Sequence, residues 1–253
     1  MRSVKLLALA AFGGLILLST ASCTSSDPVI SKVFKAPPWT GNEELHYDLR
    51  DEGGAVYGSC VLETKLNIEP GKTQLNHLCG SGGPERDDRT VTVDAQTLRP
   101  ITGNRTISDT SKGSRTSFTT AYNDQSRSVH LSADEKGSVH ETDRDLPKPT
   151  KDSPDPGYYD DESLFWLMRG VPLEKGWEGA YKDVNASNGQ VITAKVRIEG
   201  KETVKLASGT YSAWKVRLET QSITQFFWVD EAAPHEIVQA RIERLTYQLA
   251  ARP

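Results

Sequence analysis

Cysteine is the most reactive residue type in this chain, and Cys23 has the most informative position. It follows an apolar run over residues 6–18, which is preceded by Arg2 and Lys5 and followed by small residues. Charged, apolar and small-residue regions in this order are typical of a secretory signal peptide. The apolar run is shorter than the roughly 20 residues that a membrane-spanning helix needs. We therefore predict that residues 1–22 form a signal peptide that is removed on export.

The position of Cys23 directly after small residues resembles the lipobox of bacterial lipoproteins. In that motif the cysteine becomes the acylated N-terminus, so the resemblance implies lipidation of Cys23, with chains such as palmitate, and attachment to a membrane. This sequence departs from the usual motif because Thr20 stands where the lipobox has leucine. Cleavage after Ala21 without lipidation is the alternative. Several acyl chains would hold the protein firmly, since each buried methylene contributes about 0.8 kcal/mol.

Lipidation of the first cysteine would leave Cys60 and Cys79 as a pair. An odd number of cysteines in an exported chain needs an explanation, and an oxidising compartment favours pairing of the other two. Residues 69–72, Glu-Pro-Gly-Lys, are a turn signal that would fold segments 58–68 and 73–80 into a hairpin with both cysteines on one face. We predict a disulfide that contributes about 3 kcal/mol. A metal site is the weaker alternative, because the sequence offers no nearby ligand partner.

Other reactive residue types lack the spacing that catalytic sites need. None of the five histidines stands in a His-Glu-x-x-His pattern, and no Gly-x-Ser-x-Gly elbow is present. The acidic residues Asp155, Asp160, Asp161 and Glu162 would either bind calcium or cap a helix and face solvent, and we expect the second. Residues 86–89, Arg-Asp-Asp-Arg, are expected to form a solvated charged turn. We predict a non-catalytic protein without a metal or another cofactor.

The composition supports a folded domain and excludes some partners. Apolar residues make up 36% of the chain and aromatic residues 8%, which is enough for a hydrophobic core. The formal charge is −4 and becomes −6 when the signal peptide takes Arg2 and Lys5 with it. A negative chain lacks the basic surface that nucleic acid requires, and it is not attracted to anionic lipid. The membrane is therefore expected as a partner only through the lipid anchor.

The sequence pattern divides the mature chain into a tether and one β-rich domain. Residues 23–41 are polar and contain three prolines, which is typical of a tether. Residues 42–250 form short alternating segments separated by turn residues, which indicates an antiparallel sheet. Four prolines make residues 146–159 a loop. The predicted strands include residues 90–94, 101–107, 116–122, 128–132, 190–199, 201–206, 212–221, 225–229 and 236–249.

A short helix interrupts the strands over residues 161–169. Asp160 is placed to cap its N-terminus and Gly170 to end it. Its apolar residues include Leu164, Phe165, Leu167 and Met168. A helix with so little polar surface must pack onto another element, and the concave face of the sheet is the simplest partner.

Four segments in order resemble an uncharacterised bacterial family, catalogued as domain of unknown function 3108. They are residues 44–47, 164–173, 208–216 and 227–230, the last followed by Pro234. The family is similar in architecture to the periplasmic lipoprotein carriers, which are curved antiparallel half-barrels with a short helix over the concave face. The resemblance implies a mainly β fold with a single curved sheet, a half-barrel or open barrel, and a possible cavity for a hydrophobic ligand. It implies no known activity.

These observations predict an envelope lipoprotein that binds an apolar ligand, such as a lipid, between the helix and the sheet. The expected mechanism is movement of the helix to admit the ligand. The residues expected to line the cavity are Leu164, Phe165, Leu167, Met168, Trp214 and Trp228. The same aromatic residues would also suit an ordinary core, which leaves a structural or protein-interaction module of the envelope as the alternative. A hydrolase with scattered catalytic residues is the least favoured function.

Overall fold

The computed structural model describes residues 33–221 and 223–250. The predicted signal peptide, the predicted lipidation site Cys23 and residues 24–32 of the predicted tether lie outside these residues. The strands are β1 (Glu43–Arg50), β2 (Val56–Glu69), β3 (Lys72–Gly80), β4 (Glu85–Asp94), β5 (Pro100–Asp109), β6 (Ser114–Asn123), β7 (Ser128–Glu135), β8 (Ser138–Asp145), β9 (Tyr158–Asp160), β10 (Glu178–Val184), β11 (Val191–Leu206), β12 (Gly209–Glu219), β13 (Thr224–Asp230), β14 (Ile237–Ile242) and β15 (Leu245–Leu249). A 3-10 turn (Asp161–Ser163) leads into the helix α1 (Leu164–Arg169).

The strands form one sheet whose order follows the chain almost throughout. Its order is β8-β7-β6-β5-β4-β3-β2-β1-β15-β14-β13-β12-β11-β10-β9. Neighbouring strands are antiparallel except for β9 and β10, which run parallel. Strand β1 pairs with β15, so the first and last strands lie at the centre and β8 and β9 lie at the two ends.

The sheet curves until side chains near its two ends meet. Tyr122 of β6 stacks on Tyr158 of β9 with ring centroids 6.3 Å apart. The Tyr158 hydroxyl donates to Asp124 Oδ1 over 2.9 Å. Leu131 of β7 and Val184 of β10 belong to one buried apolar cluster. The predicted mainly β fold with a single curved sheet and a short covering helix is therefore confirmed.

The hairpin of β2 and β3 shows how local sequence sets strand register. Gly71 takes a φ of 75° in the turn after Pro70, a conformation that glycine adopts without steric cost. Cys60 then lies directly opposite Cys79 with their Cα atoms 4.1 Å apart, and their sulfurs are bonded. The hairpin that the sequence predicts is confirmed, with the disulfide in place.

Three segments differ from the predicted strand pattern. Residues 190–199 and 201–206, predicted as two strands, belong to the single strand β11, whose register shifts between Ile198 and Gly200. Such a bulge bends a strand without ending it. In the sequence, Gly200 looked like a turn residue and so predicted a break between two strands. Residues 236–249, predicted as one strand, are divided into β14 and β15 by a turn. Residues 158–160, predicted mostly as loop, form the short strand β9.

Helix α1 lies against the concave face of the sheet, as the sequence predicts. The Asp160 carboxylate accepts a hydrogen bond from the Glu162 amide over 2.8 Å and so caps the 3-10 turn. The Gly170 amide donates to the Leu167 carbonyl at the other end. Phe165 through Arg169 are all buried. A membrane-crossing helix is not found among the residues that the structure describes, since none of the helices there has the length and apolarity required.

Residues 33–40, which the sequence assigns to the polar tether, pack on the domain, and we call them the strap. Val33, Phe34 and Trp39 are buried. The Phe34 ring lies 4.4 Å from the ring of Tyr159, and the Lys35 amide donates to the Gly170 carbonyl over 3.1 Å. A Pro-rich polar segment can still dock when its few apolar side chains are suitably spaced. The strap therefore packs against the C-terminal end of α1 and against β9 and β10 of the sheet.

Candidate functional site

The interior beneath α1 has an apolar part centred on Phe165, which we call the apolar zone. The Phe165 ring centroid lies 5.0 Å from that of Tyr247, 5.7 Å from that of Phe227 and 5.9 Å from that of Tyr47. These tilted and edge-to-face arrangements are favourable beyond the burial of area alone. In the apolar zone the aromatic side chains of three strands thus pack around one helical residue.

The six residues predicted to line a ligand cavity all lie in one core cluster or against it. Phe165, Leu167 and Met168 are buried in the cluster, and Leu164, which is partly buried, packs against it. Trp214 is partly buried at the edge of that cluster, with the Lys201 ammonium 4.6 Å from the centre of its ring.

Trp228 is buried in the same core cluster, but its side chain leaves β13 on the face opposite that of Phe227. It follows Phe227, whose side chain reaches Phe165, and neighbouring residues of a strand point to opposite faces. Its Nε1 donates to Glu202 Oε2 over 2.8 Å. In the described conformation the side chains of α1 therefore occupy the concave face themselves.

Polar contacts hold both ends of the α1 segment. The Trp166 Nε1 donates to Thr64 Oγ1 over 2.8 Å inside the core. The Arg169 guanidinium donates to both carboxylate oxygens of Glu43, over 2.8 and 3.1 Å, and to the carbonyl of His235. The Trp39 ring of the strap lies 5.0 Å from the Arg169 guanidinium. A helix of six residues is marginal on its own, so these contacts, with core packing, fix its position.

At the N-terminal end of α1 the interior is charged, and we call this part the charged zone. Arg89 Nη1 lies 2.9 Å from Glu162 Oε2, and Arg89 Nη2 donates to Asp87 Oδ2 over 2.6 Å. Arg105 binds the same Asp87 carboxylate with two hydrogen bonds, of 2.9 and 2.8 Å. The Glu162 side chain is 1% exposed. Two arginines thus join β4 and β5 to the segment that carries α1.

Further carboxyl groups extend the charged zone. Asp160 is fully buried and accepts a short hydrogen bond from the Tyr122 hydroxyl. Asp161 accepts the amide of Ala186 over 3.0 Å. A Cβ atom at Gly103 would lie 2.5 Å from Thr120 Oγ1 and 3.4 Å from Asp160 Oδ2. A side chain at that position of β5 would therefore collide with Thr120, whereas Asp160 would lie in ordinary contact with it.

Burial and mutual repulsion raise the pKa of several of these carboxyl groups. Desolvation followed by the charge of its neighbours raises the pKa of Asp160 and of Asp161 to about 7. Desolvation raises the pKa of Glu162 to about 7 as well, although Arg89 and Arg105 oppose the shift. For Asp87 burial acts in the same direction, but the hydrogen bonds from both arginines prevail and lower its pKa to about 2. The charged zone therefore exchanges protons near neutral pH.

The charged zone corrects two predictions from the sequence. Residues 86–89 lie within β4 and are not a turn, and Asp87 and Arg89 face the interior. Asp160 caps the turn as predicted, but it and Glu162 are buried, whereas Asp155 is exposed and pairs with Arg99. The signal was present, because Asp87 and Arg89 continue the alternation of the buried residues Val91 and Val93. Because Asp87 and Arg89 are charged, they were expected to face solvent. The sequence alone does not show which residues compensate their charge in the interior.

A buried histidine beside the disulfide is the residue that the sequence analysis missed. His77 Nε2 lies 3.0 Å from Cys79 Sγ, and the imidazole ring is 5.1 Å from the ring of Phe165. Burial, with the nearby Arg89, lowers the pKa of His77 to about 3, so the ring is neutral. The two-residue spacing of His77 and Cys79 on one strand could have revealed this contact.

A surface cavity of about 430 Å³ lies elsewhere, between the β11–β12 turn, the β13–β14 loop and the end of β15. Its lining includes Ser208, Tyr211, Asp230, Pro234 and Leu249. None of the six residues predicted to bind a ligand contributes to it. The predicted ligand residues and this cavity are therefore different places in the molecule.

Comparison with known proteins identifies the family. The family described as "Protein of unknown function (DUF3108)" matches residues 83–246. The chain belongs to this family. The match includes the charged zone and α1, and the resemblance noted from the sequence is confirmed. Among curated proteins no sequence matches the chain.

Two crystal structures with low sequence identity are similar to this DUF3108 chain. One is a β-barrel-like protein of the domain of unknown function DUF1849 from Brucella abortus, with 10% identity and a TM-score of 0.44. The other, from Bacteroides fragilis, is described as an exported protein with a YmcC-like fold, with 10% identity and a TM-score of 0.28. Each alignment covers 87% of this chain and 98% of the other.

Proposed function

We propose that this DUF3108 protein is an exported, lipid-anchored protein of the cell envelope that binds an apolar ligand and catalyses no reaction. The sequence of residues 1–23 supports export and acylation of Cys23. The ligand would be a lipid or another molecule with a long apolar chain. It would bind between α1 and the concave face of the sheet.

The main support for this proposal is that two short segments cover the concave face of the sheet. In a β-sandwich a complete second sheet would cover that face. The segments are α1, with six residues, and the strap, residues 33–40. They contact each other through the Lys35 amide and the Gly170 carbonyl. Cover elements that are short and few are the parts of a fold that open at lowest cost.

In the described conformation this interior is filled, so the ligand must replace side chains of the protein. Phe165, Leu167 and Met168 are all at most 4% exposed. An acyl chain that takes their place contributes about 0.8 kcal/mol for each methylene that leaves water. A chain of a dozen or more methylenes therefore brings a free energy that is comparable with the cost of opening a local segment. In this proposal the conformation with α1 packed in the interior is the closed form.

Native mass spectrometry of the protein purified from its own host tests the proposal. We expect a fraction of molecules to carry an apolar ligand, whose mass identifies its class. The strap variant Phe34→Ala should raise the uptake of an apolar fluorescent dye, because it weakens the cover. Val139→Ala, at an exposed position of β8, is the matched control. Protein that is always ligand-free, with dye uptake unchanged by the strap variant, would contradict ligand binding.

A structural or protein-interaction module is the second candidate, and the filled interior favours it. The sheet ends at β8, whose residues are almost all exposed and which has no strand on its outer edge among the described residues. Such an edge can add a strand from a partner, although its charged side chains oppose uncontrolled pairing. Ligand-free protein that co-purifies with a fixed envelope partner, and loses it when β8 is altered, would support this candidate.

A further inference from the structure

We propose that Cys60, Cys79 and His77 bind one copper(I) ion when the disulfide is reduced. The two cysteines are paired across β2 and β3, and His77 precedes Cys79 by two residues on the same face of β3. The three side chains are buried, and their ligand atoms all lie within 4.8 Å of one another. This inference is independent of ligand binding beneath α1.

The three donor atoms lie within a small side-chain movement of the distances that a metal site requires. Two donor atoms on one ion at about 2.0–2.3 Å can be at most about 4.6 Å apart. His77 Nε2 is already 3.0 Å from Cys79 Sγ. Reduction allows the two sulfurs to separate by side-chain rotation, while the paired strands keep the Cα atoms at 4.1 Å. A small movement of side chains therefore converts the disulfide into a three-donor site.

The donor set and its surroundings favour copper(I) over zinc. Thiolate and imidazole are the ligands that soft copper(I) prefers. A structural zinc ion requires a fourth ligand, and within the described residues no fourth Cys, His, Asp or Glu joins this group. The rings of Phe165 and Tyr247 lie 5.1 and 5.9 Å from His77 and limit the access of water. A dry site with three soft donors suits an ion that accepts low coordination numbers.

The chemistry needs a dithiol reductant of the envelope, which is itself oxidised to a disulfide. Two electrons and two protons pass to the Cys60–Cys79 bond, and two thiols form. Copper(I) then displaces the two thiol protons, which leave to solvent, and binds the two thiolates and the imidazole. The copper does not change its oxidation state. The same residues therefore serve as a disulfide in one state and as a metal site in the other.

Anaerobic copper(I) titration of the mature full-length protein tests this inference, with a coloured chelator as competitor. After reduction with dithiothreitol and its removal, we expect one copper(I) ion per chain. The oxidised protein should leave the copper with the chelator. His77→Gln should weaken binding at least tenfold, whereas His130→Gln, at an exposed position, should not change it. X-ray absorption should report two sulfur ligands and one nitrogen ligand.

Thermal unfolding and thiol alkylation provide two further tests of copper binding. Copper(I) should raise the midpoint of thermal unfolding of the reduced chain, and the rise should be smaller in His77→Gln. Bound copper should also protect both thiols from alkylation. A folded reduced protein that yields all copper to the chelator overturns the inference, as does equal affinity in His77→Gln. A reduced chain that remains unfolded with copper present overturns it as well.

Discussion

The apolar zone and the charged zone adjoin each other around α1, but they consist of opposite kinds of side chain. The apolar zone packs Phe165 against rings from β1, β13 and β15, and its strength grows with the area removed from water. The charged zone joins Glu162 to Asp87 through Arg89 and Arg105, and its strength depends on complete pairing. The apolar zone therefore supplies stability, whereas the charged zone fixes the position of the segment that carries α1 and makes the fold sensitive to pH.

The largest expected effect comes from Phe165→Ala in the apolar zone. Removing a buried aromatic ring leaves a cavity among packed rings, which should lower the free energy of unfolding by about 4 kcal/mol. Phe226→Ala is the matched control, because Phe226 is only partly buried and lies between Lys215 and Arg241. Phe226→Ala should lower the free energy of unfolding by about 1 kcal/mol. Urea unfolding of both variants measures the difference, and equal losses would show that the apolar zone is not the main source of stability.

The next effect comes from Arg89→Met in the charged zone. The variant leaves Glu162, whose side chain is 1% exposed, without its nearest cation. We expect a loss of about 3 kcal/mol, at the low end for a broken buried pair because Arg89 is partly exposed. Arg86→Met on the same strand removes an exposed pair with Asp88 and should cost less than about 1 kcal/mol. Similar unfolding midpoints in the two variants would refute the importance of the charged zone.

Gly103→Ala tests the close approach of the sheet to the charged zone. The added methyl group would come within 2.5 Å of Thr120 Oγ1, so the Thr120 side chain must move. We expect a loss of about 1–3 kcal/mol from overpacking. Gly41→Ala is the control, since its added methyl group meets nothing within 4 Å. If thermal unfolding shows no loss in Gly103→Ala beyond that of the control, the close packing of Gly103 on Thr120 beside the charged zone is refuted.

The last prediction is a decline of stability with rising pH. Asp160, Asp161 and Glu162 have pKa values of about 7 in the folded protein, and ordinary values near 4 apply when the chain is unfolded. Between these values the folded state binds more protons, so the free energy of unfolding falls as pH rises. Asp87 has the opposite shift, but its contribution is complete above about pH 4.

We expect the free energy of unfolding to fall continuously between pH 5 and pH 8, because the folded protein releases its extra protons over this range. Urea unfolding across this range measures it. Glu162→Gln should flatten the profile, while Asp155→Asn, at an exposed position, should keep the slope of the parent protein. A profile that rises over the same range would contradict the assigned directions of the pKa shifts.

Much of the fold could be predicted from the sequence because it rests on local patterns. The turn at Pro70 and Gly71 sets the register that pairs Cys60 with Cys79. Asp160 caps the turn that leads into α1, as a residue of its type does at helix N-termini. Period-two alternation located most strands. Each of these signals acts over a few residues and needs no knowledge of distant partners.

The candidate site was harder to predict because its decisive contacts are remote in sequence. Arg89 and Glu162 are both charged and were therefore expected in solvent, but each is the other's partner across the interior. The strap docks through Phe34 on Tyr159, a contact that no local pattern indicates. Burial of charge depends on compensation by another segment, and a single sequence does not state which segment that is.

Hydrogen–deuterium exchange with and without palmitate tests most directly whether α1 and the strap form a removable cover. Peptides that span the strap and α1 should lose protection from exchange together when palmitate binds, while β11 and β12 should keep their protection. Protection of the strap and α1 that stays equal to that of β11 and β12, under conditions where palmitate is shown to bind, would contradict it.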